Sequence, residues 1–129
     1  VPHPEGLGES QLLLLEDGHC LTDQALAVCG RSRGNARINM GASSLATLSR
    51  LVAAGFGLTL MPEIAIPTEA RAAEGMCLRR FATPEPSRSI GLVRRASTPA
   101  QGWFTDLAQR LRGVGEDLTA RSRASVPAY

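Results

Sequence analysis

The sequence has 129 residues, 43% hydrophobic and 20% charged, enough for one globular domain with a modest core and too little for two. Its 14 Lys plus Arg against 12 Asp plus Glu leave a net charge of +2, too small to select nucleic acid by bulk charge, and no apolar run approaches the ~20 residues that cross a bilayer. Three cysteines form no even framework and the hydrophobic fraction is too high for a small disulfide scaffold, so the composition points to a reducing compartment, the cytoplasm.

Residues 1–8 contain Pro and Gly and lack a charged-then-apolar leader. The start at Val1 rather than Met suggests a piece of something longer. "QLLLLED", 11–17, is a continuous apolar run followed by turn residues, the pattern of a strand buried on both faces in a parallel sheet. Residues 21–28 contain helix formers and stop near Gly30. "ARINM", 36–40, alternates polar and apolar and reads as a second strand. Ser43 or Ser44 then caps a helix with Leu45, Leu48 and Val52 on one face and Gly55 as its stop. "FGLTLMP" gives a third strand, ended by Pro62, and a short helix over 63–73 and a strand over 76–81 follow. "TPEPS", 83–87, breaks the pattern before a strand over 89–95. The last amphipathic helix carries Trp103, Leu107, Leu111 and Val114 on one side, and a polar tail from about Gly115 is expected to be disordered.

Alternating strands and helices predict an α/β fold with a mostly parallel sheet, whose ligand sites lie at the carboxyl ends of strands. Two stretches occupy such ends: residues 17–20, and residues 41–44, where a helix amino terminus offers free N–H groups.

The first of these belongs to "DGHCLTDQALAVC", which places Cys20 and Cys29 at opposite ends of one short helix. Nine residues at ~1.5 Å rise separate them by roughly 13 Å along the axis, whereas a disulfide needs Cα atoms within about 7 Å. The thiols cannot join while the helix is intact, yet the intervening loop is short enough to close once it melts. The spacing therefore suits an element that is helical when reduced and refolded when oxidised. Cys20 is the better nucleophile, beside His19 and near a helix amino terminus whose partial charge favours an anion. It would oxidise first to a sulfenic acid, and Cys29 would resolve it. Two other readings of the same residues stand beside this one. Free cysteines are most often inert core hydrophobes. A zinc site from His19, Cys20, Cys29 and Cys77 has no compact ligand spacing behind it, and neither metal nor cofactor is expected.

"LLLLEDGHCLTDQALAVC" closely resembles the sensor segment of the OxyR family, the hydrogen-peroxide-sensing LysR-type transcriptional regulators. "SSLATLSRLVAAGFGLTLMP", "TPEPSRSIGLVRR" and the helix after "STPAQGWF" resemble the rest of that family's regulatory region in the same order, so the likeness spans roughly residues 1–113. It implies a periplasmic-binding-protein-like (type 2) α/β fold, incomplete at the N-terminal side: 1–87 as most of regulatory subdomain II, and 88–114 as a strand and helix returning to subdomain I. It implies Cys20 as the peroxidatic and Cys29 as the resolving cysteine, joined in a reversible disulfide, with His19 shaping the pocket. Arg88 takes the family's place for a cation near the reactive sulfur, and Ser43 and Ser44 match the helix start that lines the effector cleft, although serines there are mostly caps. Thr22 stands where relatives carry a basic residue, which leaves the charge around Cys20 less positive. Cys77 has no counterpart in the motif and reads as a buried strand residue.

The resemblance further implies a transcriptional activator rather than an enzyme. Its partners would be hydrogen peroxide, promoter DNA through an N-terminal helix-turn-helix absent from this chain, RNA polymerase, a thiol reductant such as glutaredoxin, and other copies of itself in a homotetramer, with no membrane. The rivals are a LysR-type regulator that binds a metabolite without redox chemistry, and a thiol peroxidase that would turn over peroxide.

Overall fold

The computed structural model describes residues 12–16, 18–30, 42–99 and 102–126. Its helices are α1 (Cys20–Val28), α2 (Leu45–Ala53), a 3-10 turn (Glu63–Ala65) running into α3 (Ile66–Ala72), and α4 (Gly102–Ser125). The expected strand over 36–40 lies outside the described residues.

The run of four leucines organises the core. Residues 12–16 are extended and bridge in parallel on both edges, Leu12 to Leu58 and Leu15 to Ala42. The amide of Leu13 donates to the Leu58 carbonyl at 2.7 Å and that of Glu16 to the Ala42 carbonyl at 3.1 Å. Successive side chains of an extended segment point to opposite faces, and both faces are covered here. Leu12 and Leu14 pack with Ala25, Leu26 and Cys29 of the α1 region, with Leu58 and Leu60 alongside. Leu13 and Leu15 pack with Ala42 and Leu48, joined by Leu45, Leu51 and Val52 of α2. The segment thus fills the place expected of a doubly buried central strand, although its pairing is limited to single bridges.

Helix ends follow their local chemistry. Ser44 is the N-cap of α2, its Oγ accepting from the Thr47 amide at 3.2 Å. After α2, Gly55 takes φ +83° and donates to Val52, while Phe56 donates to Leu51, the paired bonds of a Schellman cap. Gly30, at φ +64° after α1, likewise donates back to Ala27.

Four expectations are corrected. Residues 76–81 and 89–95 form no strand among the described residues, and Cys77 is exposed rather than buried in one. A strand needs a partner edge, and the bridges among the described residues join only the 12–16 segment to Leu58 and Ala42. The polar tail is not disordered from Gly115: α4 runs on to Ser125, and Ser122 and Val126 are buried. The cause is amphipathicity carried by few residues. An i,i+4 pair of Asp117 and Arg121 supports the helix, and Arg123 Nε reaches Glu63 Oε1 at 3.0 Å, docking the last turns on the 3-10 turn and α3. Residues 127–129 lie outside the described part.

Candidate functional site

Cys20 is the first residue of α1 and His19 its N-cap, in extended conformation and with no side-chain cap bond. Both are exposed. The entry is fixed by backbone: the Thr22 amide donates to the His19 carbonyl at 3.0 Å. It is also fixed by Thr22 itself, buried, whose hydroxyl donates to the Leu15 carbonyl at 3.0 Å and so ties the first turn of α1 to the central segment. An amino-terminal turn presents partial positive charge to a nearby anion; the acidic Asp23 in the same turn offsets part of it.

Cys29 ends the same helix as its C-cap, its amide donating to the Ala25 carbonyl at 3.1 Å. Its side chain is only 5% exposed, inside the cluster under Leu12 and Leu14. All three cysteines are thiols. With the helix between them formed, Cys20 and its C-cap Cys29 are nine residues apart, which at ~1.5 Å per residue is roughly 13 Å along the axis. Joining them requires α1 to unwind and Cys29 to leave the core, at about 1 kcal/mol for the buried side chain alone.

Arg88 comes to this helix from 64 positions away. Its Nη1 donates to Gln24 Oε1 at 2.7 Å, one turn beyond Cys20 on the same face. The stretch before it is anchored by Arg80, whose Nε and Nη2 fork onto the two carboxylate oxygens of Glu85 at 2.8 and 2.5 Å, while Nη1 reaches Glu63 Oε1 at 2.7 Å. Arg80 holds the Glu85 carboxyl below its ordinary range. Burial pushes Glu63 up, but hydrogen bonds and charge from Arg80 and Arg123 outweigh it and hold that carboxyl low as well. The Arg80 guanidinium is raised in turn, first by Glu85 and then by Glu63. The Thr83–Pro84 peptide within this loop is cis.

The structure therefore brings His19, Cys20 and Arg88 to one end and face of α1, and puts Cys29 at the other end in the core. Ser43 and Ser44 are elsewhere, at the start of α2 on the opposite face of the central segment, and the Ser44 hydroxyl is committed to its cap. Cys77 belongs to neither group. Gln24 and the Arg80 cluster escaped the sequence reading. The only sequence signal for Gln24 is its four-residue offset from Cys20; Arg80 and Glu85 are five apart, a spacing that carries no signal until the loop folds. No cluster of His, Cys, Asp or Glu able to hold a metal occurs among the described residues, and no helix there is long and apolar enough to cross a membrane.

Residues 1–113 match the family model for the LysR substrate binding domain. Over 106 residues the chain is 43% identical to a hydrogen peroxide-inducible genes activator of Dickeya chrysanthemi, covering 82% of this chain and 34% of that protein. It is also 43% identical over 112 residues to the DNA-binding transcriptional dual regulator OxyR of Escherichia coli K12, covering 87% and 36%. A solved structure of a mutant of Corynebacterium glutamicum OxyR superposes with a TM-score of 0.70 at 36% identity, covering 88% of this chain and 36% of that one. The chain thus spans about a third of the length of the curated relatives it matches.

Proposed function

The chain belongs to the LysR substrate binding domain family, and on that premise we propose that it carries the redox sensor of a hydrogen-peroxide-responsive transcriptional activator, switched by a reversible Cys20–Cys29 disulfide. The observation behind this reading is the contrast along α1: an exposed thiol at its first residue, a buried thiol at its cap, and an ordered helix between.

The chemistry balances without a cofactor. The Cys20 thiolate attacks one peroxide oxygen, the O–O bond breaks, and the sulfur becomes a sulfenic acid while hydroxide leaves and takes a proton to form water. Cys29 sulfur then attacks the sulfenic sulfur; its proton leaves with the hydroxyl as a second water, and the S–S bond forms. Two thiols and one hydrogen peroxide give one disulfide and two waters. A dithiol reductant of the glutaredoxin type reverses it by exchange. His19 borders the reacting sulfur, and the helix amino terminus with Arg88 supplies positive charge to the anion. In this reading the domain is a sensor rather than an enzyme, in keeping with the transcriptional regulators it is similar to.

In this reading 1–87 form most of subdomain II of a type 2 periplasmic-binding-like domain with a mostly parallel sheet, and 88–114 return to subdomain I. The longer protein would act in the cytoplasm as a homotetramer, binding promoter DNA through an N-terminal helix-turn-helix and contacting RNA polymerase. Ser43, exposed beside the α2 cap, would line the cleft. A metabolite-sensing regulator is the weaker reading, since relatives such as that of Dickeya chrysanthemi carry peroxide-responsive names. The test is peptide mass mapping after brief exposure of the full-length protein to peroxide. A Cys20–Cys29 link, absent in Cys29→Ala and accompanied by loss of helical circular dichroism, supports the switch. Sulfurs that join with the helix unchanged, or a full transcriptional response in Cys20→Ser, overturn it.

A further inference from the structure

Resting on the reading of Cys20 as the reactive thiol, we infer that Gln24 is a positioning residue that holds the Arg88 guanidinium over the face of α1 carrying Cys20.

Arg88 needs an anchor. It is exposed and sits in a stretch, 86–97, that is exposed throughout and has no bridge partner among the described residues. A long side chain on such a backbone samples many rotamers, so a cation there acts on a given atom only if something fixes it. The loop is clamped at Glu85 by Arg80, three residues upstream, which brings Arg88 into reach of α1 but leaves its side chain unset. The 2.7 Å bond from Nη1 to Gln24 Oε1 supplies the missing constraint.

Gln24 suits that task in place and in chemistry. Helical side chains lean toward the amino terminus, so the end of a side chain at position 24 lies over the turn that begins at Cys20. Its amide is a neutral acceptor: it orients the guanidinium without cancelling the charge, as a carboxylate would, and occupies one of five N–H donors, leaving the others for an anion. Gln24 is also inside the segment that must unwind for the disulfide to close. The anchor therefore exists only in the reduced form, and oxidation releases the Arg88 side chain.

The experiment compares the wild-type chain, Gln24→Met, Arg88→Met and the double variant. Methionine keeps side-chain length and helix propensity while removing a strong acceptor. Iodoacetamide alkylation rates are read separately at Cys20 and Cys77 by peptide mass spectrometry. Each single variant should slow Cys20 roughly two- to fivefold, the range an exposed charge contact supports. Cys77 should not change, and the double variant should be no slower than Arg88→Met alone. A wild-type Cys20 rate in Gln24→Met with a slowed Arg88→Met overturns the inference but leaves Arg88 as the activating cation. Multiplying effects in the double variant also overturn it, since Gln24 would then act on the helix and not through Arg88. An unchanged rate in Arg88→Met removes the cation's role, and the anchor with it, while peroxide mapping of Cys20 and Cys29 remains a separate test of the switch.

Discussion

Cys20 and Cys29 share a residue type and little else. A serine at position 20 exchanges one exposed group for another and should leave stability within about 0.5 kcal/mol. A serine at position 29 puts a hydroxyl among Leu12, Leu14, Ala25 and Leu26 and should cost about 1–2 kcal/mol. Urea denaturation of the two reduced variants measures the difference; equal midpoints would mean that Cys29 is not in the core. Cys29→Ala is therefore the better probe of the disulfide. Thr22 makes the same point about context. From sequence it is a missing charge, whereas in the fold its buried hydroxyl serves the Leu15 carbonyl. Thr22→Val keeps the shape, orphans that carbonyl, and should lose about 1 kcal/mol in the same assay. Nothing in the sequence pairs positions 15 and 22, because the bond exists only once α1 has docked on the central segment.

At the scale of elements, the disulfide competes with α1, so weakening the helix should favour the bond. Ala27 is exposed in the last turn. Ala27→Gly removes about 1 kcal/mol of helix preference and should raise the equilibrium constant for closing Cys20–Cys29 against a glutathione buffer about fivefold. An unchanged constant would mean that α1 is not what the bond dismantles. The helices of this region were legible in advance because their caps and apolar spacing are local: α1 and α2 fall within a residue or two of expectation, with Ser44 and Gly55 at their ends. The end of α4 was not. Its support is Glu63, 60 positions away, shared between Arg80 and Arg123. That cluster has a pH signature. Glu63 and Glu85 have carboxyl pKa values depressed by folding, so their contribution is complete above the unfolded value, about 4.3, and is lost as pH falls through the lower folded values. Arg80→Met should destabilise the domain by roughly 1–2 kcal/mol at neutral pH, and its gap to wild type should narrow below about pH 4, read from urea midpoints across that range. A gap that stays constant would show that the carboxylates contribute nothing through Arg80.

The whole molecule is uneven: one end is packed and the other is bare. The central leucines and both flanking helices form a closed core, but Ile90 and Val93 are 72% and 89% exposed, and Trp103, Leu107, Leu111 and Val114 line the outer part of α4. Arg94 stacks 5.3 Å over the Phe104 ring and so draws the 89–95 stretch to that helix. Apolar surface of this extent is seldom left to water. Under the proposed division into subdomains, this is the face that the other subdomain would cover. This assignment predicts opposite outcomes for one substitution. In the isolated 129-residue chain, Leu111→Glu replaces an exposed leucine, should leave the urea midpoint nearly unchanged, and should lower the mass seen by light scattering as self-association is lost. In the full-length protein the same glutamate would sit under a neighbouring subdomain, and burying its charge should cost about 2 kcal/mol or more. Stability unaffected in both settings would mean that the face stays open in the longer protein and that the proposed return of 88–114 to another subdomain is wrong.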